Sequence, residues 1–128
     1  MPTIEEAPRP APGRHFVSAY GDGGFRVAGR AWRGSILIFP AETRPWPVAD
    51  MAELVPESLA ALDQPPEPVE LLLLGCGPRL VAVPDAVRAS LRRLGVVVEA
   101  MDTGAACRTY NVLLAEGRRV AAALIAVD

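Results

Sequence analysis

Lysine is absent from the 128-residue sequence, which has only two cysteines and one histidine. The lack of lysine excludes Schiff-base chemistry, a lysine general base and the lysine of a phosphate-binding loop. Cys76 and Cys107 do not form a Cys-x-x-Cys motif, and together with His15 they provide too few ligands for a closed four-ligand zinc site in one chain. We therefore expect neither a metal ion nor another cofactor.

Excess positive charge and long hydrophobic runs are also missing. The formal net charge is -2, so no overall positive field attracts nucleic acid, and we expect no nucleic-acid partner. No stretch comes near the roughly 20 apolar residues of a membrane span. The first residues also lack the basic segment followed by an apolar one that marks a signal peptide. We therefore predict a cytoplasmic protein that is not itself a membrane protein.

The overall composition is that of a globular protein, with 51% hydrophobic and 22% charged residues. Residues 1–13 contain four prolines and no apolar periodicity, which predicts a flexible proline-rich arm. Residues 14–128 are numerous enough to bury a core without disulfides or metal ions. We predict a single α/β domain over this range.

The first half of this range has the pattern of antiparallel strands. Residues 16–20 and 25–27 flank a glycine-rich turn and predict a β-hairpin. The β-branched and aromatic run from Ser35 to Phe39, which Pro40 ends, predicts a third, buried strand. Between residues 46 and 63 we expect a short extended piece and a short helix that begins at Pro56.

The second half alternates between strand and helix patterns. Apolar runs predict strands over 69–74, 96–100 and 120–127, and helical spacing predicts helices over 84–95 and 104–115. Short connections between such elements produce βαβ crossovers and therefore parallel strands. The predicted architecture is a mixed central sheet with helices, plus an N-terminal antiparallel β layer.

One long C-terminal stretch carries a family resemblance. The sequence EAMDTGAACRTYNVLLAEGR at 99–118, followed by VAAALI at 120–125, is similar to an uncharacterised Mth-like domain family. That family includes the mitochondrial complex I assembly factor 3 and the adipogenesis-associated Mth-like domain protein. The same similarity extends over about residues 16–127, through Tyr20, Gly24, Phe25, GSIL at 34–37, Trp46 and LLLLGCG at 71–77.

The resemblance implies a three-layer α/β fold around a mixed sheet. It also implies a role in protein assembly, because the mitochondrial member assists the assembly of respiratory complex I and bacterial members tend to be encoded near membrane-translocation components. Function transfers less directly than fold does. Cys76 stands where threonine is common in the family, so a role that needs a hydroxyl group there does not carry over to this chain.

Polar and small residues follow the strands 69–74 and 96–100. If these strands are parallel, their carboxyl ends meet at one edge of the sheet, where ligands tend to bind. The following helix offers free N–H groups and a partial positive charge, which suit an anion or a carboxylate. The candidate binding residues are Gly75, Cys76, Gly77, Asp102, Thr103, Cys107, Arg108 and Asn111.

These residues also have a structural interpretation, which we favour. Asp102 or Thr103 would cap the helix, and Asp102 would stabilise its positive end. Cys107 would pack as a small hydrophobic residue and Tyr110 would lie in the core. Asn111 is expected on the exposed side of the helix together with Arg108, as a polar contact for a ligand or partner.

The sequence predicts no catalytic residue, because it lacks a nucleophile–base pair, metal ligands and a phosphate loop. The leading hypothesis is a non-enzymatic protein-binding or assembly module whose partners are components of respiratory or other membrane complexes or of membrane translocation. The alternative is a small-molecule or anion-binding protein, or an enzyme, with its site at the carboxyl edge of the sheet.

Overall fold

The computed structural model describes residues 12–128, so nearly all of the predicted arm at 1–13 lies outside the described residues. The first strands of the described residues form a small antiparallel sheet in the order β1-β2-β3. The strands are β1 Val17–Gly21, β2 Gly24–Val27 and β3 Arg30–Arg33. The side chains of Phe25 and Val27 are buried beneath this sheet, whereas Arg26 between them is exposed.

A mixed five-stranded sheet lies at the centre, in the order β5-β4-β8-β6-β7. Its strands are β4 Ile36–Phe39, β5 Glu42–Pro45, β6 Leu71–Gly75, β7 Val97–Met101 and β8 Val120–Leu124. Strand β6 is parallel to both β7 and β8, and β4 is antiparallel to both β5 and β8. All residues of β4 and β8 are buried, as expected for strands that are covered on both faces.

Two α-helices and two 3₁₀ helices cover this sheet. The helices are α1 Asp85–Arg93 and α2 Thr103–Ala115, and the 3₁₀ helices are Met51–Glu53 and Pro56–Asp63. One face of the sheet packs against α1 and the 3₁₀ helices around Trp46. The other face packs against α2, which also contacts the three-stranded sheet. This arrangement confirms the predicted three-layer α/β fold with a mixed central sheet.

Several boundaries differ from the prediction. Strands β3 and β5 were not predicted, and the last strand ends at Leu124 rather than at Val127. Both of the missed strands lie at sheet edges, where few side chains are buried and the apolar alternation is weak. Leu94 has the helical spacing of the buried Val87 and Leu91, but it follows α1 as an exposed residue.

Gly24 provides a test of the small sheet, because a Cβ atom there would overlap the carbonyl oxygen of Trp32 on β3. We expect Gly24→Ala to lower the free energy of unfolding by about 2 kcal/mol, since β3 must move to make room. The exposed Arg26→Ala change on the same strand should alter it by less than about 0.5 kcal/mol. Urea unfolding of both variants checks this, and equal effects would contradict the close approach.

Candidate functional site

The carboxyl ends of β6 and β7 lie side by side, as the sequence predicted. Gly75 is in register with Met101, and the N–H of Cys76 donates to the Met101 carbonyl oxygen at 2.9 Å. Gly75, Cys76 and Gly77 therefore adjoin Asp102 and Thr103. The arrangement of these residues decides whether the edge forms an open cleft.

Thr103 closes this edge by hydrogen bonds. Its hydroxyl oxygen accepts from the N–H of Gly77 at 2.9 Å and donates to the carbonyl oxygen of Ile125 at 2.7 Å. Its own N–H donates to the Gly77 carbonyl oxygen at 2.9 Å. The side chain is fully buried, so Thr103 joins the ends of β6 and β8 to the start of α2.

The helix cap is formed by Asp102, not by Thr103. The Asp102 carboxylate accepts from the N–H of Ala105 at 2.9 Å, which satisfies one of the free donors of the first turn. Of the two caps that the sequence allows, Asp102 is the one observed, because the Thr103 hydroxyl group is used across the sheet edge. A Cβ atom at Gly75 would lie 3.0 Å from the Thr103 hydroxyl oxygen, so no space remains for a ligand between them.

Neither cysteine is arranged as a nucleophile. Cys107 is completely buried, and this burial raises the pKa of its thiol, so the protonated form dominates at neutral pH. Cys76 is also buried, and its sulfur lies 3.5 Å from the carbonyl oxygen of Val81. Both side chains pack as small apolar residues, which the structural interpretation predicted for Cys107.

Asn111 lies inside the protein, which corrects its predicted exposure. Its side-chain oxygen accepts from the N–H of Val17 at 2.9 Å, and its side-chain nitrogen donates to the Val17 carbonyl oxygen at 2.8 Å. The amide group thus pairs with β1 as a neighbouring strand would. Tyr110 is also buried, as expected, and its hydroxyl group donates to the His15 carbonyl oxygen at 2.9 Å.

Arg108 is exposed, although it is only three residues from the buried Asn111 on α2. Its guanidinium donates to the hydroxyl oxygen of Tyr20 at 3.2 Å, and Tyr20 packs against the helix at Gly104. The eight candidate residues therefore do not converge on one cleft. Most of them hold the three layers together, while Arg108 remains accessible on the surface.

The outer edge of β7 is a surface that the sequence interpretation missed. A groove of about 600 Å³ lies there, between residues 78–83 and the unpaired side of the strand. We call it the β7 groove. It is lined by Leu80, Ala82, Val83, Arg88, Val98, Glu99 and Ala100. The apolar residues 80–83, which follow β6 without helical or strand periodicity, are the only sequence signal that could have indicated it.

Comparison with known proteins agrees with this three-layer architecture. A solution NMR structure of a Bordetella pertussis protein, described as a Mth938-like domain, matches with a TM-score of 0.77 and 34% identity. The match covers 98% of this chain and 92% of that one. The fold class is therefore that of the Mth938-like domains.

Residues 17–125 match the model of a family described as a protein of unknown function (DUF498/DUF598), and the chain belongs to this family. An uncharacterized protein of Rhodobacter capsulatus is 43% identical over 109 residues, which cover 85% of this chain and 82% of that protein. The family resemblance stated from the sequence is thus confirmed.

Relatives with an assigned role also match. The NADH dehydrogenase (ubiquinone) 1 alpha subcomplex assembly factor 3 of Xenopus tropicalis is 33% identical over 110 residues, or 86% of this chain. This chain spans only 60% of the length of that protein.

No helix among residues 12–128 is long and apolar enough to cross a membrane. The cytoplasmic location and the division into arm and domain stay predictions.

The contribution of the Thr103 hydroxyl group to stability can be tested with a nearly isosteric change. Thr103→Val keeps the shape but removes the hydroxyl group, so the Gly77 N–H and the Ile125 carbonyl oxygen lose their partner in a buried environment. We expect the free energy of unfolding to fall by about 3 kcal/mol. Thr103→Ser keeps the hydroxyl group and should retain most of the stability. Chemical unfolding measures both, and similar losses would show that the hydroxyl group is not the important part.

The pairing of the Asn111 amide with Val17 can be tested by the pH dependence of stability in an Asn111→Asp variant. In Asn111→Asp a protonated carboxyl group can still donate to the Val17 carbonyl oxygen, whereas a carboxylate can only accept. Protonation is therefore favoured in the folded state, and the variant should approach the wild-type stability below about pH 4. As the pH rises the difference in unfolding free energy should grow, to about 3 kcal/mol at pH 7. A pH-independent difference, measured by urea unfolding, would contradict the paired amide.

Proposed function

We propose that this protein is a non-enzymatic binding module that assists the assembly of membrane-bound complexes, with subunits of respiratory complexes as its partners. The assembly factor 3 relatives support this proposal, because the similarity covers most of this chain. The matched region includes most of the fold described above, so a binding role of the shared domain is the economical inference.

The observation that carries the proposal is an exposed aliphatic surface beside β7. Leu80 is 64% exposed, Val97 is 60% exposed and Val81 is 40% exposed. Leu80 lines the β7 groove, and Val97 lines a smaller hollow along the same strand. Exposed apolar side chains beside such grooves are typical of surfaces that another protein covers. The burial of such side chains is the main favourable term in protein association.

A ligand or enzyme site at the carboxyl edge of the sheet is the less favoured alternative. The space that it requires is occupied by the hydrogen bonds of Thr103 to Gly77 and Ile125. The Cys107 thiol behind this edge is buried and its pKa is raised. A binding pocket there would have to break the contacts that hold α2 to the sheet.

A crosslinking pull-down of the tagged protein, expressed at its native level in its own cells, tests the proposed function. Wild type should recover subunits of membrane complexes. The double change Leu80→Ser with Val97→Thr should reduce this recovery about tenfold, because it removes exposed apolar area from the partner surface. Val55→Thr, a change at a 48% exposed valine outside the β7 groove, is the matched control and should recover the wild-type amount.

The Arg108→Glu variant distinguishes binding at the β7 groove from binding at the carboxyl edge of the sheet. We expect normal recovery with that variant, because Arg108 is distant from the β7 groove and contacts Tyr20. Loss of partners with Arg108→Glu but not with the double change would move the interface to α2. If wild type recovers no membrane-complex subunit at all, the assembly function is wrong.

A further inference from the structure

The outer side of β7 has backbone groups that are available for another strand. Val97 N–H donates to the Glu70 carbonyl oxygen, and the Met101 carbonyl oxygen accepts from Cys76, so alternate residues of β7 are directed at β6. By the same alternation the backbone groups of Val98 and Ala100 point away from the sheet. Within residues 12–128, the N–H groups of these two residues have no hydrogen-bond partner.

One of these outward backbone groups, the carbonyl oxygen of Val98, accepts a hydrogen bond from a side chain. The Arg88 guanidinium on α1 donates to the carbonyl oxygen of Val98 at 3.1 Å. Arginine has five donors on a long, rotatable stem, so this contact can be exchanged for another acceptor without movement of the backbone. The edge is therefore occupied by a group that an incoming chain can displace.

The charges along the outer edge of β7 are positive overall, which favours an acidic partner. Arg88 and the exposed Glu99 both line the β7 groove, and Arg88 and Arg92 line a smaller hollow of about 110 Å³ along the same edge. The two arginines are four residues apart on α1, where like charges repel. No ion pair to either is found in the part of the chain that the structure describes. The C-terminal end of α1 favours a cation at Arg92, but it does not neutralise Arg88 in the preceding turn.

The shape of the groove favours an extended segment over a helix or a flat surface. β7 has five residues, so its edge is about 16 Å long and matches a strand of similar length. Leu80 and Val83 form the opposite wall and offer apolar contacts to alternate side chains of such a strand. A membrane surface could contact Leu80, but it could not form the strand pairing that the outward N–H groups of Val98 and Ala100 offer.

We propose that the β7 groove, where the unpaired backbone of β7 faces Leu80 and the arginines of α1, binds an extended acidic segment of a partner protein as an added strand. The segment pairs with the backbone of Val98 and Ala100. Arg88 leaves the Val98 carbonyl oxygen and binds a carboxylate of the segment. This inference rests on the proposed function, because it specifies how the assembly partner is held.

Site-specific photo-crosslinking in the full-length protein tests this inference. The photo-reactive amino acid p-benzoylphenylalanine is placed at position 97, or at position 55 as the control, and the crosslinked products are identified by peptide mass spectrometry. We expect position 97 to crosslink to an acidic segment of a membrane-complex subunit. Position 55 should give at least about tenfold less of this product.

Three further changes, combined with the crosslinker at position 97, test the mode of binding. Ala100→Pro removes an N–H that the fold does not use, and proline is tolerated at the outward side of an edge strand. Arg88→Glu reverses the charge of the groove, and Arg118→Glu is the matched reversal at an exposed arginine outside it. The first two should each reduce the crosslink about tenfold, and Arg118→Glu should not. If a thermal unfolding control shows that Ala100→Pro does not fold, the Arg88→Glu variant tests whether the β7 groove binds an acidic segment.

Each other outcome has a defined meaning. Crosslinks to a lipid, or to a second copy of this chain, would overturn the inference. If the pull-down recovers membrane-complex subunits but position 97 does not crosslink to them, the outer edge of β7 is not the site, whereas the proposed function survives. If neither experiment recovers such a subunit, both proposals are wrong. An equal crosslink in wild type and Ala100→Pro would exclude strand addition.

Discussion

Helix α2 packs against two sheets at once, and this double burial determines what its polar residues do. The helix contacts β6 and β8 of the central sheet and β1 of the small sheet. A buried polar group that lacks a partner costs about 1–3 kcal/mol, so each one that α2 carries inward must be paired. Asn111 is paired by Val17, and Thr103 is paired by Gly77 and Ile125. The residues that look like ligand-binding groups are the connections between the layers.

The sequence predicted the elements that bury the most apolar surface. The strand Ile36–Phe39, the parallel pair β6 and β7, and both α-helices were expected, because hydrophobic periodicity and helix-end signals act locally. Strand β3, with the sequence Arg-Ala-Trp-Arg, and strand β5, which ends at Pro45, were not. Their stability comes from pairing with a neighbouring strand, and the apolar pattern of a chain does not record that pairing.

The candidate site was less predictable, because it depends on how the layers are assembled. Helical spacing correctly placed Tyr110 in the core, but it cannot show that a second sheet covers the neighbouring side of α2, and therefore it left Asn111 in solvent. The strand pattern of Val97 and Val98 does not distinguish an inner strand from an edge strand. That distinction follows from the strand order β5-β4-β8-β6-β7. Because β8, the last strand in the sequence, lies between β4 and β6, β7 is left at the edge of the sheet.

The edges of the two sheets are protected to different degrees, and this difference identifies the edge that is open to a partner. On β5, Arg44 forms an ion pair with Glu42 and Pro45 removes a donor, which discourages pairing. On β3, Arg30 and Arg33 are exposed and Arg30 covers the Trp32 ring. The outward backbone groups of β7 are protected instead by the Arg88 side chain, the one hydrogen-bond partner that they have among residues 12–128, and Val97 and Glu99 are exposed beside it. Arg88 discourages pairing between copies, because two arginines would meet, yet it attracts an acidic strand. The same residue therefore provides both protection from self-association and selectivity for a partner of opposite charge.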